Sequence, residues 1–268
     1  SANNQNITFT STIDDDSAGD SDLTLTAGTG SVDLQGAVGG TTRVDDFTVA
    51  SAAQADLMNV AADTIAVTST NIDLKGTTYT SSVAGITFTG AVDLDLSTGT
   101  VAVNSSANNQ NITFTSTIDD DSANDTSLTF NSGSGGTISV GGHLGDTYPL
   151  ATVTVTESNG ATFSGNFKAA TMAVTDTTDS TSITFADDQD VDLTTGFTIS
   201  NSGSDSYNVV INSSTFDAAG DTNFLNAGTV TLGNGTGDTI TFAGGLATTG
   251  NGTNPGTVNL AGLSLIHI

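Results

Sequence analysis

Short bursts in which two apolar residues flank one polar residue recur along the whole chain. Early examples are Ile7/Phe9, Leu23/Leu25, Val32/Leu34, Phe47/Val49 and Ile65/Val67. Because side chains alternate between the two sides of an extended backbone, each burst presents its apolar pair on one side and its Thr or Asp on the other. Gly, Asn and Asp fill the intervals, and these residues favour tight turns. The pattern predicts many short β-strands joined by turns.

A long internal duplication organises these bursts. The segment SANNQNITFTSTIDDDSA occupies 1–18 and returns letter for letter at 106–123. The similarity continues beyond the identical block, and its insertions fall in the Gly- and Asp-rich intervals. We divide the chain into repeat 1 (1–105), repeat 2 (106–206) and a partial, divergent repeat 3 (207–262), all within one continuous repeat architecture.

Two folds fit a long repeat made of short strands. One is a string of Ig-like β-sandwiches, and the other is a right-handed parallel β-helix, also called a β-solenoid. The bursts are only three to five residues long, the chain has no Trp, and no Pro-bearing linker separates the copies. We therefore predict an all-β solenoid with roughly 20 residues per coil, in which each coil lies on a copy of itself; tandem sandwiches are the alternative.

The charge of the chain is strongly one-sided. Its 268 residues include 29 acidic and only 3 basic residues, which gives a formal charge of −26. Nearly every acid is Asp, which favours turns over helices. A surface of this sign repels phosphate, so nucleic acids and anionic membrane surfaces are excluded as partners. No apolar run is long enough to span a bilayer, so direct membrane insertion is not expected.

Two stretches of sequence carry a family resemblance. The run NITFTSTIDDD, with the following LTLTAGTGSVDLQGAVGGTTRVDDFTV, resembles the repeats of filamentous-haemagglutinin-like adhesins and autotransporter passengers. The segments 76–80 and 90–94 are similar to a second motif of that family. The resemblance covers about the first 200 residues. It implies a right-handed β-helix that bacteria secrete and display at the cell surface.

The two ends of the sequence point to a segment of a larger protein. The residues that precede the second copy, 101–105, have no counterpart before Ser1. We therefore interpret the chain as a window from a longer polypeptide. The last residues, 263–268, break the Thr-, Gly- and Asp-rich style, and we interpret them as a scar left by a sequencing-library adapter.

Catalysis finds little support in the residue types. Solenoid lyases need Arg or Lys to stabilise a carbanion, and the three basic residues are scattered. These residues are Arg43, Lys75 and Lys168. Glycoside hydrolases need converging acids, and the best-placed cluster is Asp187, Asp188, Asp190 and Asp192. Because Asp is common in exposed turns, we interpret this cluster as a solvated turn. We expect no catalytic residues, no organic cofactor and no enzymatic activity.

Calcium is the stronger chemical hypothesis. Three adjacent carboxylates occur in each identical copy, at Asp14, Asp15 and Asp16 and again at Asp119, Asp120 and Asp121. Asp125 lies close behind the second set. Carboxylate oxygens are the ligands that Ca²⁺ prefers, and a cation would relieve the repulsion between neighbours. The alternative is an exposed turn screened by diffuse counterions.

The predicted function is structural. We expect a non-enzymatic extracellular rod, a segment of a large bacterial surface adhesin or stalk, whose partners are surface glycans or other copies of itself. The main alternative is a self-assembling subunit of an extracellular filament or sheath. A carbohydrate-active β-helix is a minor alternative. An ice-binding solenoid is another, in which one flat face would carry the pairs Thr8/Thr10, Thr24/Thr26, Thr113/Thr115, Thr152/Thr154 and Thr239/Thr241.

Overall fold

The computed structural model describes residues 4–200, 206–247, 255–261 and 265–267. Within these ranges the chain winds into a β-solenoid of about 10 turns, with about 24 residues per turn rather than the expected 20. All strand pairings with a stated direction are parallel, which confirms the predicted solenoid and excludes sandwiches built from antiparallel sheets. Among the described residues, the one helical element is a short 3₁₀ turn at Ser106–Asn108.

The strands are short except where the chain turns a corner without leaving the extended conformation. They are β1 (Ile7–Phe9), β2 (Leu23–Thr26), β3 (Ser31–Leu34), β4 (Val44–Leu57), β5 (Val60–Leu74), β6 (Thr78–Ser81), β7 (Ile86–Leu94), β8 (Gly99–Asn104), β9 (Ile112–Phe114), β10 (Ile118–Asp120), β11 (Thr126–Asn131), β12 (Ile138–Val140), β13 (Leu150–Glu157), β14 (Ala161–Phe163), β15 (Phe167–Val174), β16 (Ser182–Phe185), β17 (Asp190–Ile199), β18 (Asn208–Ile211), β19 (Thr215–Ala218), β20 (Thr222–Phe224), β21 (Thr229–Leu232), β22 (Thr239–Phe242), β23 (Leu246–Ala247), β24 (Thr257–Leu260) and β25 (Leu265–His267).

Stacked coils form three faces, each defined by one column of aligned apolar residues. Face 1 contains Ile7, Val32, Ala55, Ile72, Val92, Ile118, Leu144, Phe167, Val191, Phe216 and Ile240. Face 2 contains Ile13, Val38, Val60, Tyr79, Val103, Phe130, Val155, Val174, Ile199 and Phe224. Face 3 contains Leu23, Phe47, Ile65, Ile86, Ile112, Ile138, Ala161, Ile183, Val209, Val230 and Val258.

The alternation read from the sequence produces the core. In β9, for example, Ile112 and Phe114 are buried while Thr113 between them is partly exposed. Parallel stacking places like side chains on one another, so the rings of Phe88 and Phe114 lie 4.9 Å apart. Each such buried side chain contributes roughly 1.5–3 kcal/mol of transfer free energy. The apolar columns therefore make one continuous core along the axis.

The corner between faces 3 and 1 becomes tighter over three successive coils. It is formed by 50–54 in β4, by 68–71 in β5 and by 89–91 in β7. The strand register shifts at the first two corners, so that each has one residue more than the corner of the next coil. Coil length therefore varies at the corners, while the strands of each face stay in register.

The two identical segments lie on different faces, contrary to the expectation that each coil lies on its own copy. Ile7 of the first copy pairs with Val32 on face 1, whereas its equivalent Ile112 pairs with Ile86 and Ile138 on face 3. Most inward positions of all three faces are apolar, so an alternating burst fits any face. The length of one repeat therefore need not equal a whole number of turns.

The Thr pairs also separate, which corrects the idea that they share one flat face. The pairs that begin at Thr24 and Thr113 lie on face 3, but Thr152 lies on face 2, and Thr8 and Thr239 lie on face 1. The ice-binding alternative loses the single surface that it required.

The C-terminal segment continues the same pattern. Leu265–His267 forms β25 and pairs with β22, although this segment was interpreted as a scar. The rest of 263–268 lies outside the described residues.

Candidate functional site

The first acidic loop, Asp14–Asp16, follows Ile13 at the first coil. Its Asp14 Oδ1 accepts hydrogen bonds from the backbone N–H groups of Thr41 and Thr42, at 2.7 and 3.2 Å. Asp15 Oδ2 accepts the N–H groups of Asp20 and Ser21, at 3.0 and 2.8 Å. These carboxylates hold the loop of the next coil and their own turn.

Hydrogen bonding keeps Asp15 ionised. Desolvation alone would raise its pKa, but the N–H groups of Asp20, Ser21 and Asp16 outweigh that effect and lower the pKa to about 2. The carboxylates of Asp14, Asp15 and Asp16 do not converge on one point. The structure therefore offers no set of calcium ligands in this loop.

The second acidic loop has the same local hydrogen bonds, but its middle Asp is buried while 121–124 are exposed. Asp119 Oδ1 accepts the N–H of Thr147 at 2.9 Å, as Asp14 does in the first copy. Asp120 Oδ2 accepts the N–H of Thr126 at 3.0 Å. Asp120 is fully buried, and Thr126 is tied to the preceding coil because its hydroxyl donates to the carbonyl of Leu96.

Burial changes the titration of Asp120. Desolvation is the largest cause and raises its pKa to about 6; the hydrogen bonds from Thr126 only partly offset it, and the nearby carboxylate of Asp125 adds to the rise. The two equivalent residues, Asp15 and Asp120, are therefore shifted in opposite directions.

Three carboxylates converge in this second loop. One oxygen each from Asp120, Asp121 and Asp125 lies within 4.8 Å of the other two. The geometry thus includes Asp125 in place of the predicted Asp119, whose carboxylate is directed to Thr147. Hard oxygen ligands at this spacing suit a divalent cation such as Ca²⁺, with water or backbone carbonyls completing the shell.

A row of stacked aspartates on face 1 was not anticipated from the sequence. One outward carboxylate per coil lies in register with the next, and the row consists of Asp33, Asp56, Asp73, Asp93 and Asp119. We call this row the aspartate ladder. Its sequence signal is the recurring triplet of an apolar residue, Asp and Leu at 32–34, 55–57, 72–74 and 92–94.

The charges of the aspartate ladder are only partly compensated. Lys75 Nζ lies 3.7 Å from Asp56, 3.9 Å from Asp73 and 3.4 Å from Asp95. Desolvation, followed by repulsion from Asp73 and other neighbouring carboxylates, raises the pKa of Asp93 to about 6. Like charges directly opposite one another weaken strand pairing, so the ladder is a destabilising feature at neutral pH.

The suspected catalytic acids point outward from an open surface. Asp190 and Asp192 are exposed on β17, and Asp187 and Asp188 form the turn before it. Asp190 Oδ1 accepts a hydrogen bond from the Thr215 hydroxyl of the next coil. This geometry agrees with a solvated turn at the start of a strand.

Each of the three basic residues is already engaged in an ion pair. Arg43 pairs with Asp63, Lys75 with Asp56 and Asp73 of the ladder, and Lys168 Nζ lies 2.6 Å from Asp146 Oδ1. His143 accepts the N–H of Asn166 through Nδ1 and thereby joins two coils. The ion pairs and this hydrogen bond link neighbouring coils.

No protein-family model, curated protein or solved structure matches this chain. The adhesin resemblance therefore stays a prediction from sequence motifs. In the part of the chain that the structure describes, no helix has the length and apolar character needed to cross a bilayer.

Proposed function

We propose that this chain is a non-enzymatic, rod-forming segment of a large extracellular surface adhesin or stalk of bacteria. The observation that carries the proposal is the stacking of about 10 coils on one axis with one continuous core. At about 4.8 Å per coil, the stacked part is about 50 Å long. The motif resemblance to surface adhesins supports the same role.

The mechanism of such a rod is mechanical. Every strand of a middle coil is hydrogen-bonded to the coil before it and the coil after it, as β7 is to β5 and β9. Bending the rod would stretch these bonds and open the apolar core, which resists deformation because it is close-packed. The net charge of −26 keeps the exterior soluble.

Electron microscopy and a surface-display assay test this proposal. We expect single, straight rods from purified protein, and we expect cells that display tandem copies of the chain to attach to a glycan-coated or cell-coated surface better than cells that display a scrambled chain. Flexible beads on a string, or equal attachment in the two cell lines, would contradict it. Release of reducing sugar from neutral or acidic polysaccharides would contradict the non-enzymatic role.

We also propose that Asp120, Asp121 and Asp125 bind Ca²⁺ and so fasten the second acidic loop. The support is the convergence of three carboxylate oxygens within 4.8 Å of one another. Calcium is millimolar outside cells, where sites of this modest kind are occupied.

A second candidate function is favoured by one observation at the C-terminal end. Val258 and Leu260 occupy inward positions of β24, yet the two residues are 45% and 61% exposed. A further coil stacked on β24, from a second copy or from a longer form of the same polypeptide, would cover them and pair with β24. A subunit of an end-to-end filament would show fibres whose length grows with protein concentration, and Leu260→Lys would shorten them. Rods of constant length at all concentrations would exclude it.

A further inference from the structure

An uncharged trough lies where the corner between faces 3 and 1 becomes tighter. The wide corners of β4 and β5 form one wall, the narrow corner of β7 forms the floor, and the following coil forms the other wall. The trough has a volume of about 520 Å³, within the range of small-molecule sites. Its floor includes Gly90 and Ala91, and its walls include Ser51, Thr70, Asn71 and Ser116.

The backbone at the floor is built for a close approach between coils. Gly90 has a φ of +136°, and a Cβ at this position would lie 1.9 Å from the carbonyl oxygen of Ser69. Only glycine is tolerated there, because any side chain would displace the backbone below it. Ser69 is buried, and its hydroxyl donates to the carbonyl of Ala52 at 3.1 Å. The floor at Gly90 is therefore packed directly against a wall that is itself hydrogen-bonded between β4 and β5.

The lining selects the chemistry of a ligand by its charge. None of the lining residues is ionisable, although the chain as a whole carries −26. Two members of the aspartate ladder border the trough on one side. Asp73 lies two residues after Asn71, and Asp93 lies two residues after Ala91. An anionic ligand would be repelled by this border. A small cation would be drawn to the carboxylates themselves, away from the neutral lining.

The polar groups of the lining also disfavour a purely apolar ligand. Hydroxyl and amide groups both donate and accept hydrogen bonds, so an apolar ligand would leave them without partners at a cost in free energy. Thr and Ala methyl groups supply apolar patches between them. A pyranose ring has the complementary surface, with hydroxyls at its rim and C–H groups on its faces, and no charge.

We infer that the trough formed by the corners of β4, β5 and β7 binds a short segment of a neutral glycan. The site would give the rod a lateral contact to uncharged surface polysaccharide. This inference rests on the proposed adhesive function for its biological meaning, but binding is measured independently of it.

The test is an NMR titration of the ¹⁵N-labelled chain with defined tetrasaccharides. The neutral probes are cellotetraose, maltotetraose and chitotetraose, and the anionic probe is tetragalacturonate. We expect at least one neutral probe, at ~10 mM or below, to shift the amide resonances of 68–71 and 89–91, with an affinity at least about tenfold higher than that of the anionic probe. No shift with any neutral probe, or equal binding of tetragalacturonate, would overturn the inference.

A matched pair of variants locates the site. Thr70 and Thr162 are both exposed threonines, on the trough wall and on face 3 respectively. Thr70→Arg should weaken binding at least about tenfold by filling the trough, and Thr162→Arg should leave it unchanged. Asn71→Ala, which removes only an amide, should weaken it less. Equal binding by Thr70→Arg and Thr162→Arg would refute the site. Loss of glycan binding in chains that still form rods would leave the proposed rod function standing.

Discussion

The two copies of the same 18 residues form the most informative pair of regions in the molecule. In both, the first Asp of the loop accepts a backbone N–H of the following coil, and the second accepts an N–H six residues further along. Yet Asp15 is partly exposed and its pKa is lowered to about 2, whereas Asp120 is fully buried and its pKa is raised to about 6.

The difference arises from what lies beside each copy. The first copy forms the first described coil, and within the described residues its loop is bonded to the coil that follows it. The second copy lies between the coil that contains β7 and β8 and the coil that follows, and Thr126 connects it to Leu96 of the earlier coil. The local sequence determines the hydrogen bonds of the loop, and the neighbouring coils determine its burial and charge state.

The largest expected difference between the two copies concerns Phe9 and Phe114, which occupy the same position in the repeated segment. Phe114 is 1% exposed and packs against the ring of Phe88, whereas Phe9 in the first coil is only partly buried. We expect Phe114→Asp to lower the free energy of unfolding by about 4 kcal/mol or more, because an unpaired charge enters the core. Phe9→Asp should cost about half as much or less, since water reaches its site.

Urea unfolding followed by circular dichroism measures both values, with Phe114→Leu and Phe9→Leu as controls for the change in size. Equal losses for the two Asp variants would show that the first described coil is as well packed as the middle of the solenoid.

The opposite pKa shifts predict opposite effects of neutralising the two aspartates. The pKa of Asp120 in the folded state, about 6, exceeds the ordinary 3.8, so its charge opposes folding at pH 7, and this penalty disappears as the pH falls towards 4. Asp120→Asn should therefore stabilise the fold at pH 7 by roughly 1–2 kcal/mol, with no effect near pH 4.

Asp15 follows the reverse rule. Its pKa of about 2 lies below 3.8, so its carboxylate stabilises the fold above pH 4, and the contribution is lost as the pH falls towards 2. Asp15→Asn should destabilise at pH 7 and become neutral near pH 2. Thermal melting in EDTA across this pH range measures both variants. Shifts of the same sign at pH 7 would contradict the assigned burial.

The smallest expected difference between the copies is the change in stability that calcium causes. We expect millimolar Ca²⁺ to raise the free energy of unfolding by about 1 kcal/mol through Asp120, Asp121 and Asp125. Asp125→Asn should abolish this response, whereas Asp16→Asn in the first loop should preserve it. Calorimetry in calcium and in chelator provides the measurement. Identical melting in the two buffers, or loss of the response in Asp16→Asn, would remove the site.

The sequence predicted the strands and the parallel stacking because both depend on local alternation. Ile112 and Phe114 had to share a side of the backbone whatever their partners. It could not predict the face of each burst, since that depends on the sum of all preceding loop lengths. For the same reason the aspartate ladder was missed: the triplets at 55–57 and 72–74 are visible, but only the register aligns them.

The acidic loops show the same limit at the level of single residues. The clusters at Asp14 and Asp119 were identified from their letters, but Asp119 points to Thr147, and Asp125 takes its place beside Asp120 and Asp121. The trough left no signal, because it is formed by a difference in length between neighbouring corners and not by any residue type.

The length of the sequence repeat does not equal a whole number of solenoid turns, and this has a consequence for how such a protein can vary. Because Ile7 and Ile112 lie on different faces, gaining or losing one copy would swing every later coil around the long axis. A surface patch in a later coil would then face a different direction around the long axis, although its own sequence is unchanged. The number of copies would therefore determine which face of the rod a downstream surface patch occupies.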